Sequence, residues 1–232
     1  MATFVLVHGG WHGGWCYRRV ADLLRAQGHV VFTPTLTGLA DRSHHFDETI
    51  DLTTHQRDIT NLIRWEGLRD VVLAGHSYGG MVITRVANDV AQQLSALVFI
   101  DAMVPEAGEC LADLMSPALR DRIKALAAEG ETSLPPIAAA HFNVNADDAQ
   151  WVDSLCTGQP VRTFTEPAGD TSGRDTFANK IYVRAADYPS PGLDAMAERA
   201  KAQGGWRYEE IAGGHDLMVD NPQGLADILL GA

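Results

Sequence analysis

The stretch from Asp70 to Val90 constrains this chain more than any other. Val71-Val72-Leu73-Ala74 is an unbroken apolar run, which suits a parallel strand buried on both faces. Met81, Ile83, Val86, Ala87 and Val90 follow at the spacing of a mostly buried helix. Between the two lies Gly75-His76-Ser77-Tyr78-Gly79-Gly80, so the chain must turn within about five residues, the strand–turn–helix context in which G-x-S-x-G presents a nucleophile. Gly75 and Gly79 flank Ser77 because so sharp a turn brings strand and helix backbones together and leaves no room for Cβ atoms. Ser77 is then expected in a strained conformation, its hydroxyl above the sheet near the positive end of a helix dipole. A glycine-rich turn with an incidental serine is the alternative, and the flanking elements count against it.

The chain as a whole reads β-α-β-α-β-α-β up to Pro105. Phe4–Val7, Val30–Phe32, Val71–Ala74 and Ala96–Ile100 are the expected strands. A helix carrying Val20, Leu23 and Leu24 stops at Gly28, and Thr53-x-x-Gln56 offers a capping box for a helix with Ile59, Leu62 and Ile63 inward. From 106 to 164 the alternation breaks into helical patterns without a clear strand. Ser116-Pro117 starts one of these, and Trp151, Val152 and Leu155 mark another. Alternation resumes with strands at Lys180–Val183 and Trp206–Ile211, and Asn221-Pro222 caps a last helix. The expectation is a six-stranded, mostly parallel sheet with helices on both faces. Its core is formed by residues 1–105 and 165–232, and residues 106–164 are inserted as a helical cap over the strand ends, where ligands of such sheets bind.

Composition narrows the function. At 232 residues the chain is sized for one core. A net charge of −12 with no basic patch argues against nucleic acid and anionic membrane surfaces as partners. The apolar runs fall short of a membrane span. Three scattered cysteines (Cys16, Cys110, Cys156) without C-x-x-C point to free thiols in a reducing, cytoplasmic compartment. Phe4–Val7 already reads as a strand with no basic segment before it, so no secretory leader is expected. Of the nine histidines, His8 and His12 share a loop and His44-His45 lie in a polar stretch, so no metal site is expected. No phosphate-binding or dinucleotide fingerprint occurs either, and no cofactor is implied.

A serine hydroxyl becomes a useful nucleophile when a neutral imidazole takes its proton and an acid fixes the imidazole's tautomer. Ser77, Asp187 and His215 lie after the third, fifth and sixth strands in the order Ser…Asp…His. Asp101, at the end of the fourth strand, is the rival acid; Asp187 is preferred for its place before His215.

The chain resembles the small α/β-hydrolases, close to the plant methylesterase and hydroxynitrile lyase family and its bacterial esterase relatives. The likeness lies in Phe4 to Trp15 (FVLVHGGWHGGW), in Gly75 to Met81 (GHSYGGM), and in Gly213-Gly214-His215-Asp216 followed by Asn221-Pro222. It spans nearly the whole core and is weakest in the cap. It implies an α/β-hydrolase fold, with Ser77 attacking, His215 as base and then acid, and an oxyanion held by the backbone N–H groups of Gly10 and Tyr78.

The expected activity is hydrolysis of a small aromatic or short-acyl carboxylic ester through an acyl-enzyme on Ser77. A carbamate or amide hydrolase of an aromatic xenobiotic is the alternative with the same residues. A hydroxynitrile lyase is less favoured: the family's lyases carry threonine where this chain has Gly9, and a lysine after the histidine where it has Asp216, whose charge would oppose departing cyanide. A non-catalytic small-molecule receptor would have no need of an activated serine. Trp11, Met103, Phe142, Trp151 and Leu217 neighbour these motifs or the cap and are expected to contact a small-molecule substrate. The enzyme is expected to be a monomer or homodimer.

Overall fold

The computed structural model describes residues 1–232. Strands β1 (Thr3–Val7), β2 (Val30–Phe32), β3 (Val71–His76), β4 (Leu94–Ile100), β7 (Lys180–Ala185) and β8 (Trp206–Ile211) form one sheet in the order β2-β1-β3-β4-β7-β8. Every neighbouring pair is parallel. All six expected strands are therefore present, and the central β3 is buried along its whole length.

Side-chain alternation builds two cores. Val5, Val7, Val71, Leu73, Leu97, Phe99 and Tyr182 point to one face. There they meet helices α2 (Leu52–Trp65), α3 (Gly79–Val90) and α9 (Pro191–Gln203). Phe4, Leu6, Val72, Ala74, Val98, Ile100, Ile181 and Val183 point to the other, under α1 (Arg18–Ala26) and α11 (Pro222–Leu230). Each such side chain removed from water stabilises the fold by about 1.5–3 kcal/mol, which is why continuous apolar runs and not alternating ones make these strands.

The α2 cap differs from expectation. Asp51, not Thr53, is the N-cap, its carboxylate accepting from the Thr54 N–H at 2.8 Å. Thr53 is engaged elsewhere, its N–H donating to Glu166 at 2.9 Å. Between β4 and β7 lie α4 (Leu111–Leu114), α5 (Pro117–Ala128), α6 (Ala146–Leu155), α7 (Arg162–Thr165) and α8 (Ser172–Asp175). This stretch also holds a two-stranded antiparallel pair, β5 (Ser133–Leu134) with β6 (Gln159–Pro160), where no strand was expected. Two-residue strands carry no readable periodicity, and Pro160 argues against a strand in sequence. A short α10 (Leu217–Asp220) follows the last strand. No helix is long and apolar enough to cross a membrane.

Candidate active site

β3 delivers Ser77 at the carboxyl edge of the sheet with φ 51°, in the left-handed region that few non-glycine residues occupy. The turn is held from both sides. Ser77 N–H donates to the Ile100 carbonyl at 3.2 Å, and the Ser77 carbonyl accepts from Gly80 and Met103 N–H at 3.0 and 3.1 Å. A Cβ at Gly75 would stand 2.6 Å from the Gly79 carbonyl oxygen, and one at Gly79 would stand 2.7 Å from that of Val7. The flanking glycines are thus a requirement of backbone approach. Trp11 (φ 64°) and Asp101 (φ 43°) share the left-handed conformation, so three strained residues meet at one end of the sheet.

His215 lies beside this turn, its ring centroid 4.5 Å from that of His76. Its Nδ1 is 2.6 Å from Asp101 Oδ2, with both side chains buried. The other carboxylate oxygen of Asp101 accepts from the Arg184 guanidinium at 2.8 Å and from Ala185 N–H at 3.2 Å. Since Arg184 and Ala185 can only donate, Asp101 is an acceptor on every side, and the shared proton sits on His215 Nδ1. Nε2 of His215 and the hydroxyl of the half-buried Ser77 have no protein partner.

Asp187, expected beside His215, is instead exposed. Its carboxylate accepts from Gly213 N–H at 2.8 Å, and its own N–H donates to the Gly213 carbonyl at 3.1 Å. It therefore staples the base of the His215 loop and does not touch the imidazole. The reason is topological: β4 lies next to β3, so the residue ending β4 is closer to the Ser77 turn than the residue following β7.

Gly10 and Tyr78 are buried residues, and the N–H of neither donates to another group of the protein. The loop carrying Gly10 runs against the turn, for a Cβ at Gly9 would stand 3.0 Å from Ser77 Cβ. His8 donates from Nδ1 to the Gly9 carbonyl at 2.8 Å and accepts Leu36 N–H at Nε2. Burial pulls its pKa down to about 3, so it is neutral. The Tyr78 hydroxyl donates to His55 Nδ1 at 2.8 Å, while His55 Nε2–H donates to the Thr37 carbonyl.

Of the side chains expected to contact substrate, Phe142 packs against the His215 ring, the two centroids 5.3 Å apart and the planes tilted by 36°. Trp11 packs on Phe142 and Phe164 and donates from Nε1 to Leu134 in β5. Met103 is tied to the Ser77 carbonyl through its N–H. The other two side chains pack with the second core. Leu217 is fully buried in the core under the sheet. Trp151 packs on Trp15 and Arg19. A mostly apolar recess of about 290 Å³ opens between Trp11 and the insertion, lined by Leu119, Ile123, Leu126, Leu134 and Ile137 together with Arg122 and His141.

The doubly covered parallel sheet, the serine turn and the histidine loop define an α/β hydrolase. The sequence matches the α/β hydrolase family over residues 4–228, and the chain belongs to it. It is 41% identical over 238 residues to the carbendazim hydrolyzing esterase of Nocardioides sp. (strain SG-4G), covering 99% of this chain and 98% of that one. The probable esterase PIR7A of Oryza sativa subsp. indica is 31% identical over 252 residues, covering 98% and 95%. Among solved structures, an extracellular α/β-hydrolase from a Paenibacillus species superposes with a TM-score of 0.89 at 23% identity, covering 100% and 99% of the two chains. The chain is a hydrolase of the carboxylesterase type.

Proposed function

We propose that the chain hydrolyses a small, uncharged aromatic ester or methyl carbamate through an acyl-enzyme on Ser77. The contact between Asp101 and His215 carries this reading: a buried carboxylate 2.6 Å from Nδ1 leaves Nε2 as the free base next to a serine turn. In the proposed cycle the Ser77 oxygen attacks the carbonyl carbon while its proton passes to His215 Nε2. Asp101 stabilises the imidazolium, and the Gly10 and Tyr78 N–H groups bind the oxyanion. The C–O bond to the leaving alcohol then breaks, and the alcohol takes the proton from His215. Water, deprotonated by the same nitrogen, releases the acid and restores Ser77.

Residues 106–164 are read as the cap. Phe142 over His215 and the hydrogen bonds of Trp11 to Leu134 and Gln159 support that reading. The recess beside Trp11 is mostly apolar and of a size for one or two rings, which favours an aromatic substrate. The Nocardioides relative favours the carbamate over the simple ester. Three free thiols fit a cytoplasmic enzyme. All site groups come from one chain, which a monomer or a homodimer would satisfy equally.

The test is turnover of 4-nitrophenyl acetate, methyl benzoate and carbendazim by wild type and Ser77→Ala. Carbendazim should yield methanol and, once the carbamic acid loses carbon dioxide, 2-aminobenzimidazole. Loss of about 10³-fold or more in the variant is expected for a removed nucleophile. Undiminished turnover by Ser77→Ala ends the reading, and tight binding without turnover in wild type converts it to a receptor.

A further inference from the structure

Behind the proposed reacting groups, three buried ionisable side chains take no part in that cycle. His12 comes from the loop of Gly10, His76 from the serine turn and Asp216 from the loop of His215; each is almost wholly removed from solvent. His12 Nε2 lies 3.0 Å from Asp216 Oδ2, and His12 Nδ1 lies 2.7 Å from the Gly10 carbonyl oxygen. A carboxylate and a carbonyl only accept, so both ring nitrogens of His12 must donate, and His12 is an imidazolium. Burial alone would lower its pKa, but the charge of Asp216 and the hydrogen bond to it overcome that and raise it. Burial would likewise raise Asp216, but His12 holds it well below the carboxylate range.

His76 is held in the opposite state. Its Nε2–H donates to the His215 carbonyl at 2.9 Å, and its Nδ1 has no partner. Burial first, then the neighbouring His215, lowers its pKa far below the usual value, so it is neutral. The groups facing Asp216 are thus His12, His76, His215, the thiols of Cys16 and Cys156 and the phenols of Tyr17 and Tyr188. Of these, His12 alone is held charged by hydrogen bonds at both ring nitrogens.

The consequence falls on the peptide joining Gly10 to Trp11. Its carbonyl accepts from His12, and its N–H donates to Gln159 Oε1 at 2.9 Å, so the plane is gripped at both ends. That fixes the rotation of Gly10, whose own N–H is left free. We propose that His12 is a positioning residue that locks the Gly10 loop to the His215 loop through Asp216 and cancels the Asp216 charge beside His215. This rests on the hydrolase reading above. Three loops remote in sequence are thereby pinned by two histidines of fixed and different charge, which a shape-only contact would not require.

The experiment compares wild type, His12→Gln and the double variant His12→Gln/Asp216→Asn on 4-nitrophenyl acetate across pH. Loss of loop positioning should lower kcat of His12→Gln by about 10- to 100-fold, with KM changed less than about 3-fold. The uncompensated Asp216 charge should move the acid limb of its kcat/KM profile to higher pH by about one unit. The double variant removes both charges and should return the acid limb to its wild-type place. A His12→Gln enzyme with wild-type kcat, or an acid limb that does not move, overturns the inference; so does a double variant whose limb stays with the single. Should circular dichroism show His12→Gln unfolded, Asp216→Asn tests the same pair from the other side. It should lose kcat with a limb that never moves to higher pH, and a shift upward or an unchanged kcat overturns the proposal. Ser77→Ala run in parallel separates the two claims. Full activity there removes the hydrolase reading, whereas a dead Ser77→Ala beside an unaltered His12→Gln removes only this inference.

Discussion

Replacing Asp101 by asparagine should cripple the enzyme, while the same change at Asp187 should barely register. One oxygen of Asp101 accepts from Arg184 at 2.8 Å and from Ala185 N–H at 3.2 Å, and the other faces His215 Nδ1 at 2.6 Å. In Asp101→Asn the amide oxygen must stay with the two donors, which turns the amide NH2 toward the imidazole. Nδ1 then becomes the acceptor, and the proton moves to Nε2, the nitrogen that has to receive the Ser77 proton. In a triad the wrong tautomer lowers kcat by about 10⁴, or about 5 kcal/mol of transition-state stabilisation. Asp187→Asn keeps an oxygen for Gly213 N–H on an exposed loop, so kcat should stay within about 3-fold. The assay is steady-state hydrolysis of 4-nitrophenyl acetate, with thermal unfolding measured alongside to show that both variants are folded. A folded, active Asp101→Asn beside an inactive Asp187→Asn would refute the assignment of the acid.

Acid should destabilise the fold steeply before its carboxylates titrate. His8 and His76 have lowered native values, so as pH falls below about 6.5 the unfolded chain binds protons that the native chain does not, removing up to about 2.7 kcal/mol per pH unit for the two together. His12, whose native value is raised, contributes fully below that pH and does not offset the loss. Urea midpoints that stay level from pH 6.2 to 5 would contradict this. Gly79→Ala would drive a methyl to 2.7 Å from the Val7 and 2.9 Å from the His8 carbonyl oxygens and should cost about 2–3 kcal/mol, read as a lowered urea midpoint. Ile123→Trp should fill the recess beside Trp11 and raise KM for 1-naphthyl acetate by about 10-fold, with ethyl acetate unaffected; equal effects on both would dissociate the recess from substrate.

The central strands are legible because Phe4–Val7, Val71–Ala74 and Ala96–Ile100 are continuous apolar runs closed by glycine or aspartate within two residues, and the Ser77 turn because a Cβ does not fit at Gly75 or Gly79. The sequence does not single out the carboxylate beside His215, because Asp101 and Asp187 both follow strands, and spacing along a chain does not say which strands are neighbours; the structure sets Asp101 against His215 and Asp187 against Gly213. A physical signal was present nonetheless. Arg184 interrupts the apolar Ile181-Tyr182-Val183 run of a buried strand, and a cation there demands a buried anion, which is Asp101. The pairing of His12 with Asp216 spans 204 positions and had no local trace. For Trp151 and Leu217 the sequence offers apolarity alone, which cannot distinguish a pocket wall from a core; both pack with the second core.

In the proposed cycle Ser77 carries the acyl group. Rapid acid quench of wild type turning over 4-nitrophenyl butyrate, followed by peptide mass spectrometry, measures this directly. A butyryl group is expected on the peptide containing Ser77, absent from Ser77→Ala and persistent in wild type only while substrate lasts. An acyl group on another residue, such as Cys156, or turnover with no acylated peptide at any time, would contradict it.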